Sequence, residues 1–215
     1  MNNNLKQQVK IQINSLKLNG DLFIPKKCQG IVVFAHGSGS SRKSSRNIFV
    51  AEVLQKSGLG TLLFDLLSEK EDEIYENRFN ISLLAERLKT ATLWLQNQKE
   101  AKNCKIGYFG ASTGAAAALI AAADLGPGIS AVVSRGGRPD LAEKALARVL
   151  TPTLLLVGSN DYEVIKLNQM AYDLLECKKE LSLIAGATHL FEEPGTLEQV
   201  ADLAAKWFKK YLNLK

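Results

Sequence analysis

Apolar and polar positions alternate over residues 9–13, and an extended stretch follows at 16–24 with the turn formers Asn19 and Gly20 inside it. Two such runs in succession predict an opening antiparallel hairpin. The next run differs in kind: residues 31–35 read IVVFA without a polar break, as a strand buried on both faces requires. From there short β-rich runs alternate with longer helical segments. Strands are predicted at 61–65, 105–109, 131–134, 153–157 and 180–184, and helices at about 45–57, 81–98, 113–123, 141–148, 164–177 and 197–211. Crossovers of this kind are right-handed, so the series predicts an α/β protein with a doubly wound sheet. No Pro/Gly/Ser-rich linker or repeat interrupts it, and a single domain over 1–215 is expected. The one irregular stretch, LLSEKEDEIYENRFN at 66–80, is acidic, too polar for a core, and expected over one end of the sheet.

Open α/β sheets bind ligands beyond the carboxyl ends of their strands, which is where chemistry should be sought. The run at 105–109 leads into Gly110-Ala111-Ser112-Thr113-Gly114 and then into an alanine-rich helix. Strand, G-x-S-x-G and helix together make a nucleophile elbow: the glycines remove Cβ atoms that would collide in the strained turn, and Ser112 sits where helix dipoles favour developing negative charge. A glycine-rich turn with Ser112 as helix N-cap is the plainer alternative. A serine hydroxyl needs a base, and the chain has two histidines. His189 lies between the strand at 180–184 and the last helix; read plainly it is a loop histidine. Asp161 follows the strand at 153–157 and would orient the base; read plainly it is an Asx turn or helix cap. The order Ser112, Asp161, His189 is the one in which such an elbow is used. His36, in an HG turn, is expected to fix its loop by hydrogen bonding rather than act as a rival base.

An acyl-transfer transition state also needs donors for its oxyanion. The backbone N–H of Thr113 is one candidate. The other is Ser38 N–H, with Gly39 its near alternative, in the small-residue loop His36-Gly37-Ser38-Gly39 after the strand at 31–35; Gly37 and Gly39 let the backbone approach a substrate.

Composition adds limits. Hydrophobic residues at 46% and charged residues at 23% are ordinary for a globular chain. The net charge of +5 is spread along the sequence, which weighs against a nucleic-acid partner. Three cysteines, odd in number and far apart, offer neither a disulfide framework nor a CxxC pair and suit a reducing compartment. Neither a signal-like amino terminus nor a run of membrane-spanning length is present, so the expected setting is the cytoplasm with no membrane partner.

FAHGSGSSR at 34–42, GASTG at 110–114, GSND at 158–161 and GATHLFEEPG at 186–195 together resemble the dienelactone hydrolase-like branch of the α/β-hydrolases, over nearly the whole chain. The chain looks like the compact bacterial form without a cap domain, since no insertion follows the strand at 131–134. The resemblance implies a mostly parallel sheet of about seven to eight strands and hydrolysis of small esters, lactones or thioesters with no metal or organic cofactor. Dienelactone hydrolase itself uses a cysteine nucleophile where this chain has Ser112, which weighs against dienelactone as substrate. Some similar proteins are joined to a phosphoribosyltransferase-like domain, an association that points toward nucleotide or phosphosugar metabolism.

Arg135 and Arg138, in SRGGRPD after the strand at 131–134, are candidates to bind a carboxylate or phosphate on a small-molecule substrate, because a guanidinium fork suits those groups. Internal ion pairs with Asp65, Asp140 or the acidic stretch are the equal alternative. Two further readings of the whole remain open: an acyltransferase using the same triad, and a non-catalytic scaffold using the same cleft.

Overall fold

The computed structural model describes residues 4–212. One eight-stranded sheet runs in the order β1-β2-β4-β3-β5-β6-β7-β8. Its strands are β1 (Leu5–Ile13), β2 (Leu16–Ile24), β3 (Gly30–Ala35), β4 (Gly60–Phe64), β5 (Lys105–Ala111), β6 (Ala131–Arg135), β7 (Thr153–Gly158) and β8 (Lys179–Ile184). The opening hairpin pairs β1 with β2 antiparallel, and β2 joins β4 antiparallel; every pairing from β4 through β3 to β8 is parallel.

Among the described residues seven α-helices accompany them: α1 (Ser45–Lys56), α2 (Glu69–Asp72), α3 (Ile81–Gln96), α4 (Thr113–Leu125), α5 (Glu143–Leu146), α6 (Tyr162–Leu174) and α7 (Thr196–Tyr211), the last following β8. The central strands β3, β4, β6 and β7 are buried at every position, so their alternate side chains feed two cores. One core joins the sheet to α3, α4 and α6, the other to α1 and α7. The stripe on α7, with Val200, Ala201, Ala204, Ala205, Trp207 and Phe208 buried, has the three-and-four spacing of a helix lying on a sheet. Burial of Phe208 alone is worth about 2–3 kcal/mol.

Two expectations need adjusting at their edges. The strands carrying the elbow and Arg135 are longer than predicted, reaching Ala111 and Arg135, because hydrogen bonding between β5 and β6 continues to the pair Ala111–Arg135. The stretch 66–80 is not wholly excluded from the core: Leu66 and Leu67 are buried, while α2 and the 3-10 turn Tyr75–Phe79 bury nothing. Ser68 and Glu71 close α2 with a reciprocal capping box, which lets so short a helix form. Glu71 also pairs with Arg87 of α3 at 2.5 Å, tying the polar stretch down. Among the described residues no helix is long and apolar enough to cross a membrane.

Candidate active site

At the end of β5 the chain turns sharply into α4 through Ser112, whose φ of 50° and ψ of −122° lie where side chains are rarely found. The turn is tight because α4 is packed against the strand ends. A Cβ on Gly110 would stand 2.5 Å from Ala115 Cα, and one on Gly114 would collide with the carbonyl oxygen of Ala35. Ser112 occupies the N-cap position of α4 but makes no side-chain cap there. Its strained backbone is held from outside instead: Ser112 N–H donates to Arg135 O at 3.3 Å, and Arg138 N–H donates to Ser112 O at 3.1 Å. The RGGR stretch that ends β6 and follows it thus serves the elbow with its backbone.

Asp161 and His189 come together from different loops. Asp161 stands at the N-cap position of α6 but makes no capping hydrogen bond. Its Oδ2 lies 2.7 Å from His189 Nδ1, with the carboxylate largely buried and the imidazole 41% exposed. A carboxylate on Nδ1 holds the proton there and leaves Nε2 as the free, basic nitrogen. The loops are strapped to each other by Asn160 N–H to Ala187 O at 2.9 Å, Asn160 Nδ2 to Gly186 O at 3.0 Å, and Gly186 N–H to Ser159 Oγ at 2.8 Å. Glu193 completes the harness, accepting from Thr188 N–H at 3.1 Å and Thr188 Oγ1 at 2.6 Å; the Thr188 hydroxyl holds its carboxyl below the usual range.

The His189 loop reaches the elbow through Gly136, where a Cβ would stand 3.3 Å from His189 O and 3.7 Å from His189 Cε1. Among the described residues the side-chain bond of His189 is the one to Asp161, and Ser112 Oγ and His189 are not hydrogen bonded to each other. Such contacts in enzymes without substrate are often long and tighten on binding.

Facing the elbow is the loop after β3. A Cβ on Gly37 would stand 3.1 Å from Ser112 Cβ, so only glycine fits without displacing one of them. Gly39, at φ 65°, has open space around it. Neither Ser38 N–H nor Thr113 N–H donates to another group among the described residues, which leaves both amides available to a ligand. His36 behaves as its sequence position suggests: Nδ1 donates to Gly37 O at 3.0 Å and Nε2 accepts from Leu66 N–H at 3.0 Å. Burial pushes its pKa down, and both nitrogens are occupied.

The two arginines part ways. Arg138 pairs with Asp140 at 2.7 Å, the internal ion pair that was the alternative for it. Asp65 is taken by Arg42, whose Nη1 lies 2.5 Å away. Arg135 is 7% exposed and has no carboxylate partner among the described residues; its Nη2 reaches Asn47 Oδ1 at 3.3 Å and its Nε is unpaired. Burial, with a smaller push from Arg46, lowers its pKa to about 10. No cluster of three or more His, Cys, Asp or Glu among the described residues is arranged to hold a metal ion.

A model of the dienelactone hydrolase family matches residues 18–214. The chain belongs to that family. It is 53% identical to a dienelactone hydrolase from Anabaena variabilis, whose crystal structure superposes with a TM-score of 0.94 over 97% of this chain and 98% of that one. Est1E from Butyrivibrio proteoclasticus, at 16% identity, shares the fold with a TM-score of 0.82 over 96% of this chain and 99% of that one. A curated relative in Mycobacterium tuberculosis, named "Putative phosphoribosyl transferase", is 54% identical over 206 residues, 96% of this chain and 46% of its own length. The chain therefore spans about half the length of the curated relatives it matches. The fold is that of an α/β-hydrolase, and family and structural likeness support a hydrolase.

Proposed function

We propose that the protein is a serine hydrolase of small esters, lactones or thioesters, with Ser112 as nucleophile, His189 as base and Asp161 as the group that orients it. The observation that carries this reading is the 2.7 Å bond between Asp161 Oδ2 and His189 Nδ1 at an aspartate that has left its helix uncapped. A carboxylate used only as a local cap would bond to the first amides of α6; this one is spent on an imidazole 28 residues away.

The reaction follows from the parts. His189 Nε2 takes the hydroxyl proton as Ser112 Oγ attacks the substrate carbonyl, and Asp161 stabilises the imidazolium that forms. The oxyanion is received by Ser38 N–H and Thr113 N–H, fixed donors that need no reorganisation. His189 then protonates the leaving group, and a water deprotonated by His189 releases the acyl group from Ser112. The rim supplies no large enclosing insertion: β6 and β7 are joined by residues 136–152, whose helical pieces are one turn each. That suits short acyl groups. Arg135 is the cation we assign to a carboxylate or phosphate on the substrate, since Arg138 is already neutralised by Asp140.

The test is intact mass after a fluorophosphonate, then turnover of p-nitrophenyl acetate. Stoichiometric labelling of the wild type, lost in folded Ser112→Ala and His189→Ala, is expected. A folded wild type that takes up no label overturns the hydrolase reading in favour of a binding scaffold. Acyl transfer to added alcohols or amines in place of hydrolysis would make it an acyltransferase with the same triad.

A further inference from the structure

Cys28 and Cys104 are 76 residues apart in sequence and side by side in the fold. Cys28 lies two residues before β3, and Cys104 immediately precedes β5. These strands are parallel neighbours, with Gly30 opposite Lys105 and Lys105 N–H donating to Gln29 O at 2.8 Å. Both sulfurs therefore stand at the foot of adjacent strands, at the end of the sheet away from Ser112. Cys104 Sγ is 3.5 Å from the Cys28 carbonyl oxygen and 3.8 Å from that of Glu100, and Cys28 Sγ is 3.5 Å from that of Gly30. Both are partly exposed and free, and both line a surface cavity of about 330 Å³ together with Lys26, Lys27 and Lys99.

We propose that Cys28 and Cys104 form a reversible intramolecular disulfide on exposure to a hydroperoxide, with Cys104 as the attacking sulfur and Cys28 as the resolving one. The Cys104 thiolate attacks a peroxide oxygen; the O–O bond breaks, an alcohol or water leaves, and Cys104 becomes a sulfenic acid. The Cys28 sulfur then attacks the Cys104 sulfur. An S–S bond forms, the S–O bond breaks, and the hydroxyl departs as water with the Cys28 proton. Two thiols are oxidised and one hydroperoxide is reduced.

The environment assigns the roles. The neighbouring Cys28 thiol holds the Cys104 thiol below its ordinary pKa, while Cys104 and burial push that of Cys28 up. Three lysines around the cavity, against the single carboxylate of Glu100, favour a thiolate there and draw in anions. Strand pairing sets Gly30 opposite Lys105, so residues 28 and 104 precede the first paired positions of neighbouring strands, close enough for Cys104 Sγ to reach the Cys28 carbonyl oxygen at 3.5 Å; a disulfide requires backbones that run near one another in this way. The cross-link would close a loop of the chain between the feet of β3 and β5, whose far ends carry the Gly37 loop and Ser112. It stabilises the frame of the site without touching its reacting atoms.

The experiment treats the reduced full chain with hydrogen peroxide and reads free thiols under denaturing conditions, intact mass and a non-reducing peptide map. The expected result is a fall from three thiols to one, loss of the mass of two hydrogens, and a linked peptide containing Cys28 and Cys104. The melting temperature should rise by roughly 5–15 °C and return on addition of dithiothreitol. Cys28→Ser should strand Cys104 as a sulfenic acid that dimedone traps at least about 10-fold faster than it traps Cys28 in Cys104→Ser. Three thiols surviving peroxide, or sulfinic acid on Cys104 without a linked peptide, overturns the proposal. The wild-type peptide map decides it even where a serine variant fails to fold.

Discussion

The guanidinium of Arg135 stands over the ring of Phe191, 5.7 Å from its centroid, and this aromatic face is the nearest thing to a counter-charge that the buried arginine has. Phe191 is itself buried and held at φ 56°, two residues past His189, so the loop bearing His189 is pinned on top of a cation. A cation–π contact and one bond to Asn47 replace only part of the hydration Arg135 has lost. The pKa of about 10 against an ordinary 12.5 means that its charge is maintained at neutral pH at a cost of order 3 kcal/mol before relaxation.

That cost makes Arg135→Met informative in two directions. Removing an uncompensated buried charge and filling its volume with an apolar chain should stabilise the fold by about 1–2 kcal/mol in denaturant melts. If Arg135 attracts an anionic group on the substrate, the same variant should lose roughly 10-fold or more in kcat/KM for a carboxylate-bearing ester while a neutral ester is spared. Arg138→Ala, which breaks only the pair with Asp140, should change neither ratio. Equal losses on both esters would remove Arg135 from substrate binding.

What the sequence announced and what it hid divide along a physical line. The elbow was legible because strand, glycines and helix are contiguous from Lys105 to Leu125, and the hydrophobic pattern gave the sheet because β3 and β7 carry the apolar runs IVVFA and LLLV. Asp161 and His189 could be placed after strand ends but not joined, since a hydrogen bond between residues 28 apart belongs to the folded state. For the same reason Arg135 and Arg138 read alike in SRGGRPD, although one faces Phe191 and the other Asp140. Nor did the spacing of the cysteines show that β3 and β5 bring Cys28 and Cys104 together; the neighbour relation of two strands separated by a helix-strand-helix excursion is topological, not local.

On the proposed mechanism, Asp161→Asn should leave the fold intact and disable His189 as base. The amide can hydrogen-bond to Nδ1 but cannot stabilise an imidazolium, and it favours the tautomer with its proton on Nε2. A drop of about 10³–10⁴ in kcat for p-nitrophenyl acetate is expected, with slow fluorophosphonate labelling and a melting temperature within a few degrees of wild type. Retention of most of the turnover would show that Asp161 serves the loop alone.

Gly37 and Gly114 are predicted to fail differently. A Cβ on Gly114 meets the backbone of β3, which cannot move without disturbing the sheet, so Gly114→Ala should cost about 3 kcal/mol or more and register as lost stability. A Cβ on Gly37 meets Ser112 Cβ at 3.1 Å from a loop that can yield. Gly37→Ala should therefore stay folded but shift the Ser38 amide relative to the nucleophile, lowering kcat by about 10–100-fold with little change in KM. Chemical melts beside kinetics on the two variants distinguish lost fold from lost alignment.

His36 supplies a pH dependence separate from catalysis. Folding keeps its imidazole neutral: burial lowers its pKa below the ordinary 6.5, and Nε2 accepts the Leu66 amide only while unprotonated. The unfolded chain takes up the proton first as pH falls, so the stability His36 contributes is complete above about pH 6.5 and is lost as the pH drops toward its depressed folded value. Denaturant melts between pH 7.5 and 5 should show stability declining on the acid side in the wild type and a flatter profile in His36→Asn, whose side chain does not titrate. The variant should also be less stable at pH 7.5 by about 1–3 kcal/mol, because the buried Leu66 amide loses its acceptor. An acid limb unchanged in His36→Asn would assign that dependence to the carboxylates and strip His36 of its role as the neutral brace between the Gly37 loop and the segment after β4.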